Sequence, residues 1–246
     1  MTITISTLSN GLRIITDRME HVETASLGVW VGTGTRNEAK AVNGVSHLLE
    51  HMAFKGTARR NPAEIAIAME NVGGIINAYT SREQTAYYAK ILADDAPLAL
   101  DVIGDIICNS TFPEDELERE RQVILQEIGQ AADVPEDVVF DTFQEVAYPD
   151  QAVGRTVLGD PDVVQNLPRA DMITYMQQNY RPSRLILSAA GKIDHDRFAR
   201  EVEAQFGSWT AGEIEAPEPA TYQGGYALTE SDGEQAHVVL GFPALS

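Results

Sequence analysis

A chain of 246 residues, 43% hydrophobic and 22% charged, has the make-up of a globular protein, long enough for one large domain or one domain plus part of another. Its 37 acidic residues against 18 basic ones leave a net charge of −19, which argues against a nucleic-acid partner, because phosphate backbones require clustered Lys and Arg. The same charge either attracts cationic ligands such as basic peptides or is simply a solvated surface.

The first elements are strands. Thr2 to Leu8 alternates polar and apolar, Asn10-Gly11 is a hairpin turn, and Leu12 to Asp17 returns. Ala25 to Val31 predicts a third strand, and Gly32 to Arg36 a turn without the ending of a phosphate cradle. A helix is expected from about Asn43 through Ala53, and Pro62 opens another that ends at Asn71-Val72-Gly73-Gly74. Ile75 to Thr80 and Gln84 to Leu92 read as two strands. Helices are expected over Ala96 to Cys108, Pro113 to about Ala131 and Pro135 to Tyr148, with shorter ones from Asp160 and Arg169. Arg184 to Ala190 predicts a strand and Asp194 to Phe206 an amphipathic helix. Together these predict an α+β fold, a mostly antiparallel sheet packed against helices.

The composition changes after residue 206. Residues 207–236 carry Pro217, Pro219 and several acids and read as a linker, whereas 237–246, with His237-Val-Val-Leu-Gly-Phe242, reads as the first strand of a second domain. The N-terminus has no basic start or continuous apolar segment, so no signal peptide is expected, and no apolar run is long enough to span a bilayer. A single cysteine, Cys108, rules out an intrachain disulfide and fits a reducing compartment, so a cytoplasmic location is the expectation. Its apolar setting favours an inert buried thiol over a ligand or nucleophile.

Chemistry concentrates in the first helix. His47 and His51 are four residues apart, so their imidazoles leave one face and can share a metal, with Glu50 one turn from His47 and able to take a proton from water. This H-x-x-E-H order is the inverse of H-E-x-x-H and a zinc-peptidase signature. A third ligand is needed, and Glu127 offers one. It follows Val123 and Ile124 by four and three positions, on what reads as a core-facing stripe where a carboxylate requires a partner. The partner is a metal or a neighbouring cation. Glu120, two turns earlier, is placed to orient a ligand. His21, His195 and His237 stand outside any pairing and read as ordinary hydrogen-bonded or solvated histidines.

The segment His47-Leu-Leu-Glu50-His51-Met-Ala-Phe-Lys-Gly56-Thr57 resembles the zinc motif of the pitrilysin/insulinase family, in its bacterial and mitochondrial processing-peptidase branch. The likeness continues through Gly73-Gly74-Ile-Ile-Asn77-Ala78-Tyr79, Asn109-Ser110-Thr111-Phe112, Glu118 to Ile128, and Gly154-Arg155 to Asn179-Tyr180-Arg181-Pro182. It implies one Zn2+ held by His47, His51 and Glu127, with Glu50 as general base and Glu120 supporting the site. It also implies that an edge strand carrying Asn77, Ala78 and Tyr79, with Phe54 nearby, binds substrate. Gln126 departs from the pattern, since many relatives have a second Glu there. Members of this branch are roughly twice as long, with a second half that supplies an Arg and a Tyr, so the resemblance implies the zinc-bearing N-terminal half of an endopeptidase. Its partners would be a peptide, cationic by the charge argument, and a C-terminal half or partner subunit, with a dimer in the full-length enzyme. Two other functions stay open: a noncatalytic scaffold subunit, which this family also contains, and a lyase, because ribosylhomocysteine lyases share H-x-x-E-H.

Overall fold

The computed structural model describes residues 3–212, 216–230 and 234–243. Thr2, parts of the expected linker and the last residues of the expected tail strand lie outside the described residues.

Six strands form one mixed sheet. They are β1 (Ile3–Thr7), β2 (Arg13–Arg18), β3 (Thr24–Val31), β4 (Ile75–Thr80), β5 (Thr85–Leu92) and β6 (Leu185–Gly191). Their order is β1-β2-β6-β3-β5-β4; β2 and β6 run parallel and every other pair antiparallel. The turn between β1 and β2 works because Gly11 takes φ +93°, a region open to glycine, while the Asn10 amide donates to the carbonyls of Phe206 and Trp209. The expected α+β class stands.

Among the described residues there are also eight α-helices: α1 (Val45–Ala53), α2 (Pro62–Glu70), α3 (Ala96–Cys108), α4 (Glu114–Ala132), α5 (Pro135–Ala147), α6 (Pro161–Asn166), α7 (Arg169–Asn179) and α8 (His195–Phe206). Alternation along the strands sets the core. Ala25, Leu27, Val29 and Val31 of β3 point inward with Leu185, Leu187 and Ala189 of β6, and α3 packs its buried Leu100, Val102, Ile103 and Ile106 into the same cluster. Each of the Val, Leu and Ile side chains among these, fully removed from water, contributes about 1.5–3 kcal/mol.

Two readings of the sequence need correction. The stripe on α4 holds Leu117, Glu120 and Ile124 in the interior, but Val123 is 38% exposed and the Glu127 side chain equally so. The stripe therefore leaves the core in the last turns of α4, and Glu127 stands at a rim. Residues 234–243 contain no strand, and Val238, Leu240 and Phe242 are each about four-fifths exposed. An extended segment becomes a strand only when a neighbour takes its hydrogen bonds, and no described strand adjoins this one. The segment before it rests against the end of α5: Gln223 N–H donates to the Ala147 carbonyl, and the Tyr222 ring lies 6.0 Å from Tyr148. No helix among the described residues is long and apolar enough to cross a membrane.

Candidate metal centre

Helix α1 is anchored from both ends. Seven of its nine residues are buried, with Leu48, Leu49 and Met52 at the core. At its N-terminus the buried Glu38 carboxylate accepts from Asn43 Nδ2, Gly44 N–H and Ser46 N–H, each at 2.8 Å. It thereby satisfies two donors that the start of a helix leaves free, and it opposes the positive end of the helix dipole. Gly44 takes φ +99°, and a Cβ there would stand 2.7 Å from Val164 Cγ2 and 2.9 Å from Gly159 Cα. Only glycine lets the segment before α6 approach so closely.

His47 and His51 leave the same face of α1 with ring centroids 4.7 Å apart. Glu127 Oε2, from the far end of α4, lies 3.5 Å from His47 Nε2 and 3.7 Å from His51 Nε2. His51 Nδ1 is 3.0 Å from Glu120 Oε2, and Lys55 Nζ is 2.7 Å from Glu120 Oε1. A bond to that carboxylate needs the proton on Nδ1, and the Nε2 of the same ring is turned toward Glu127. His47 is neutral at pH 7, since burial and then the neighbouring His51 push its pKa down to about 4, against a partial offset from the Leu158 backbone. Its Nδ1 is buried without a hydrogen bond of good geometry.

Two imidazoles and a carboxylate thus converge on one point, an arrangement that could hold a metal ion. The spacing fits the donor set. Ligands bonded to zinc at roughly 2.0–2.1 Å in a tetrahedron stand about 3.3–3.4 Å apart, close to the two histidine–glutamate distances, and all three ligand atoms lie within 4.8 Å of one another. Two His and one Glu are a recurrent zinc set, and the Glu120 bond to His51 is the outer support such ligands use. His47, His51 and Glu127 are the only such group among the described residues. His195 instead bonds Thr16 and Ser6, and His237 lies 3.9 Å from Glu136.

Glu50 follows on the same helix. Burial raises its pKa, hydrogen bonds from the Thr80 side chain and backbone oppose that, and the Glu127 charge adds to the rise. Thr80 is the last residue of β4, so the carboxylate sits where the sheet meets the metal helix. Behind it the buried Tyr87 and Tyr180 hydroxyls share a 3.0 Å hydrogen bond.

The other residues named from the sequence are spread around this centre. β4 is the terminal strand of the sheet, paired with β5 alone. Asn77 and Tyr79 are exposed, Ala78 is buried between them, and the Ala78 N–H is taken at 2.9 Å by the Asn77 side-chain oxygen. Tyr79 accepts from Gln84 Nε2 at 2.6 Å. Phe54, directly after α1, is half-buried against the core, its ring 6.4 Å from Tyr87. Cys108, half-buried at the end of α3, has its thiol pushed up to about 12 by burial and the nearby Asp105. Sequence reasoning missed Glu38, Lys55 and Thr80. Lys55, four residues after His51, carried a helical-spacing signal; Glu38 and Thr80 carried none, because loop geometry and strand packing bring them in.

Comparison with known proteins agrees with this geometry. Residues 13–161 match the family model described as insulinase (peptidase family M16), and residues 166–246 match the peptidase M16 inactive domain. The chain is 41% identical over 244 residues to a mitochondrial-processing peptidase subunit beta from Lentinula edodes, covering 96% of this chain and 52% of that protein. It is 39% identical over 240 residues to the uncharacterized zinc protease YmxG of Bacillus subtilis, covering 97% and 58%. The fold matches a protease crystal structure from Helicobacter pylori with a TM-score of 0.83 at 24% identity, over 90% of this chain and 54% of that one. The chain spans about half the length of these relatives. With a family model matched over more than half its length, the chain belongs to the insulinase family, peptidase family M16, and represents the N-terminal half of that fold.

Proposed function

We propose that this chain is the zinc-bearing half of a metalloendopeptidase, with His47, His51 and Glu127 as ligands and Glu50 as the general base. The observation that carries the reading is the convergence of two imidazoles and one carboxylate on a single point, with Glu50 beside it. Zinc bound there lowers the pKa of water to about 7 and polarises a carbonyl. Glu120 and Lys55 hold the His51 ring, Thr80 holds Glu50, and Glu50 takes a proton from the attacking water and returns it to the leaving amine. Its raised pKa brings it nearer the working pH of such a group.

The exposed edge of β4 supports peptide binding by strand addition, in which main-chain hydrogen bonds hold an extended substrate without demanding its sequence. The Asn77 side chain then has to leave the Ala78 N–H as the substrate strand arrives. The net charge of −19 favours cationic peptides, and the relatives named as processing peptidases support a presequence-like substrate. A C-terminal half or a partner subunit completes the enzyme.

Replacing Glu50 by Gln is expected to preserve metal content and reduce peptide hydrolysis by about 10²–10⁴-fold, measured with the chain and its completing half together. Hydrolysis at the parental rate by that variant would remove Glu50 from the mechanism. A second reading, a noncatalytic partner subunit of a peptidase complex, is favoured by the match of residues 166–246 to a domain described as inactive; it predicts that cleavage by any complex containing this chain is unchanged by Glu50→Gln. A lyase that uses a cysteine gains no support, since the Cys108 thiol is protonated at pH 7.

A further inference from the structure

The loop that leaves α1 is pinned to α3 by a buried carboxylate that the proposed mechanism does not use. The Asp105 side chain has no exposure to solvent. Its Oδ1 accepts from Asn109 Nδ2 at 3.0 Å, and its Oδ2 accepts from Thr57 Oγ1 at 2.8 Å and Arg60 Nη1 at 2.6 Å. A charge held out of water needs donors around it, and two of these three come from the loop. While the Thr57 hydroxyl donates to Asp105, it accepts from the Arg59 and Arg60 backbone N–H groups at 3.0 and 2.9 Å. The same stretch is fixed to the turn before α4. Thr111 reaches the Gly56 carbonyl through both its N–H and its Oγ1, and Ser110 Oγ donates to the Ala53 carbonyl at the end of α1. Gly56, at φ +122°, turns the chain between Lys55 and Thr57.

Lys55 leaves from the start of this fixed loop. Its Nζ lies 2.7 Å from Glu120 Oε1, and the other oxygen of that carboxylate is 3.0 Å from His51 Nδ1. A lysine side chain gives up much rotamer freedom to hold one position, so the backbone it starts from has to be fixed if it is to hold Glu120 in turn. We propose that Thr57, through its bond to Asp105, is a positioning residue for the metal centre: it fixes the backbone that aims Lys55 at Glu120, and through Glu120 the His51 ring. Thr57 bonds none of the three ligands itself, so its influence has to pass through Lys55. The proposal rests on the metal reading of His47, His51 and Glu127.

The test compares the full chain with Thr57→Val, Lys55→Met and the two combined, each read for zinc affinity by competition with a chromophoric chelator and for melting temperature. Valine keeps the shape of threonine and removes its hydrogen bonds. Thr57→Val is expected to weaken zinc binding by about threefold to tenfold, less than the roughly 10–100-fold that loss of a direct outer partner of a ligand costs. Thr57→Ser, which keeps the hydroxyl, should hold the parental affinity. In the Lys55→Met background Thr57→Val should bring no further loss of affinity while still lowering the melting temperature, because the two residues act along one route. Should Thr57→Val fail to fold by its melting curve, Asn109→Ala, which removes a donor to Asp105 from an exposed position, takes its place in the same set. Zinc affinity equal to that of the parent, the same loss with and without Lys55, or a Thr57→Ser chain as weak as Thr57→Val overturns the proposal alone. A parent that binds no zinc overturns the metal reading, and the proposal with it.

Discussion

Helix α1 and the segment over 234–243 both carry a clear apolar period, and they end in opposite conditions. In α1 the period of a helix meets a sheet edge, α4 and α7, and seven of nine residues are buried. In the tail the period of a strand meets no partner strand among the described residues, and Val238, Leu240 and Phe242 stay about four-fifths exposed. A periodic pattern states which face is to be covered; whether it is covered depends on what else the chain brings there. α1 also closes its own hydrogen bonds, whereas a strand borrows them from a neighbour. This difference explains why the metal helix is formed within the described residues while the tail strand is not.

The contrast can be broken at its strong end first. Met52→Ala removes a fully buried side chain from the core face of α1 and is expected to cost about 2–5 kcal/mol in urea denaturation. A loss well below 1 kcal/mol would show that α1 is not held by its buried face. Glu38→Gln tests the non-local cap: it replaces a charged acceptor of three hydrogen bonds with a weaker group that adds a donor. A loss of about 1–3 kcal/mol is expected, along with weaker metal retention in a chelator competition. Unchanged stability together with unchanged metal retention would detach Glu38 from the positioning of His47.

A smaller, pH-dependent effect belongs to the loop that leaves α1. Burial alone raises the Asp101 carboxyl, but hydrogen bonds from Arg59 and Arg60 outweigh it and hold the pKa below its ordinary value. A depressed folded-state pKa contributes stability that is present above the unfolded value and is lost as pH falls through the folded one. Asp101→Asn should therefore cost about 1 kcal/mol or less at pH 7, as for a partly exposed pair. The gap to the parent should close once the pH falls below the usual carboxylate range; an equal gap at pH 7 and in strong acid would remove the ion pair from the account. The least effect is expected in the tail, where Leu240→Ser should change stability by no more than about 0.5 kcal/mol. A larger loss would mean that this segment is packed after all.

Much of this molecule was legible in its sequence, and the reason is locality. The i, i+4 pair of His47 and His51 with Glu50 between them, the Asn10-Gly11 turn, and the proline-opened helices all depend on neighbours a few residues apart, where helix and turn geometry are set by backbone sterics. The family resemblance rested on those same local runs. What the sequence could not determine lay in contacts between distant segments. The sequence places Glu127 on a buried stripe that it does not occupy; it reaches the histidines from a rim, because α4 crosses beside α1. The seat of β4 at the sheet edge and the cap from Glu38 are likewise products of packing. Period and spacing report which side of an element is apolar or reactive, but only the closed fold decides which two such sides face each other.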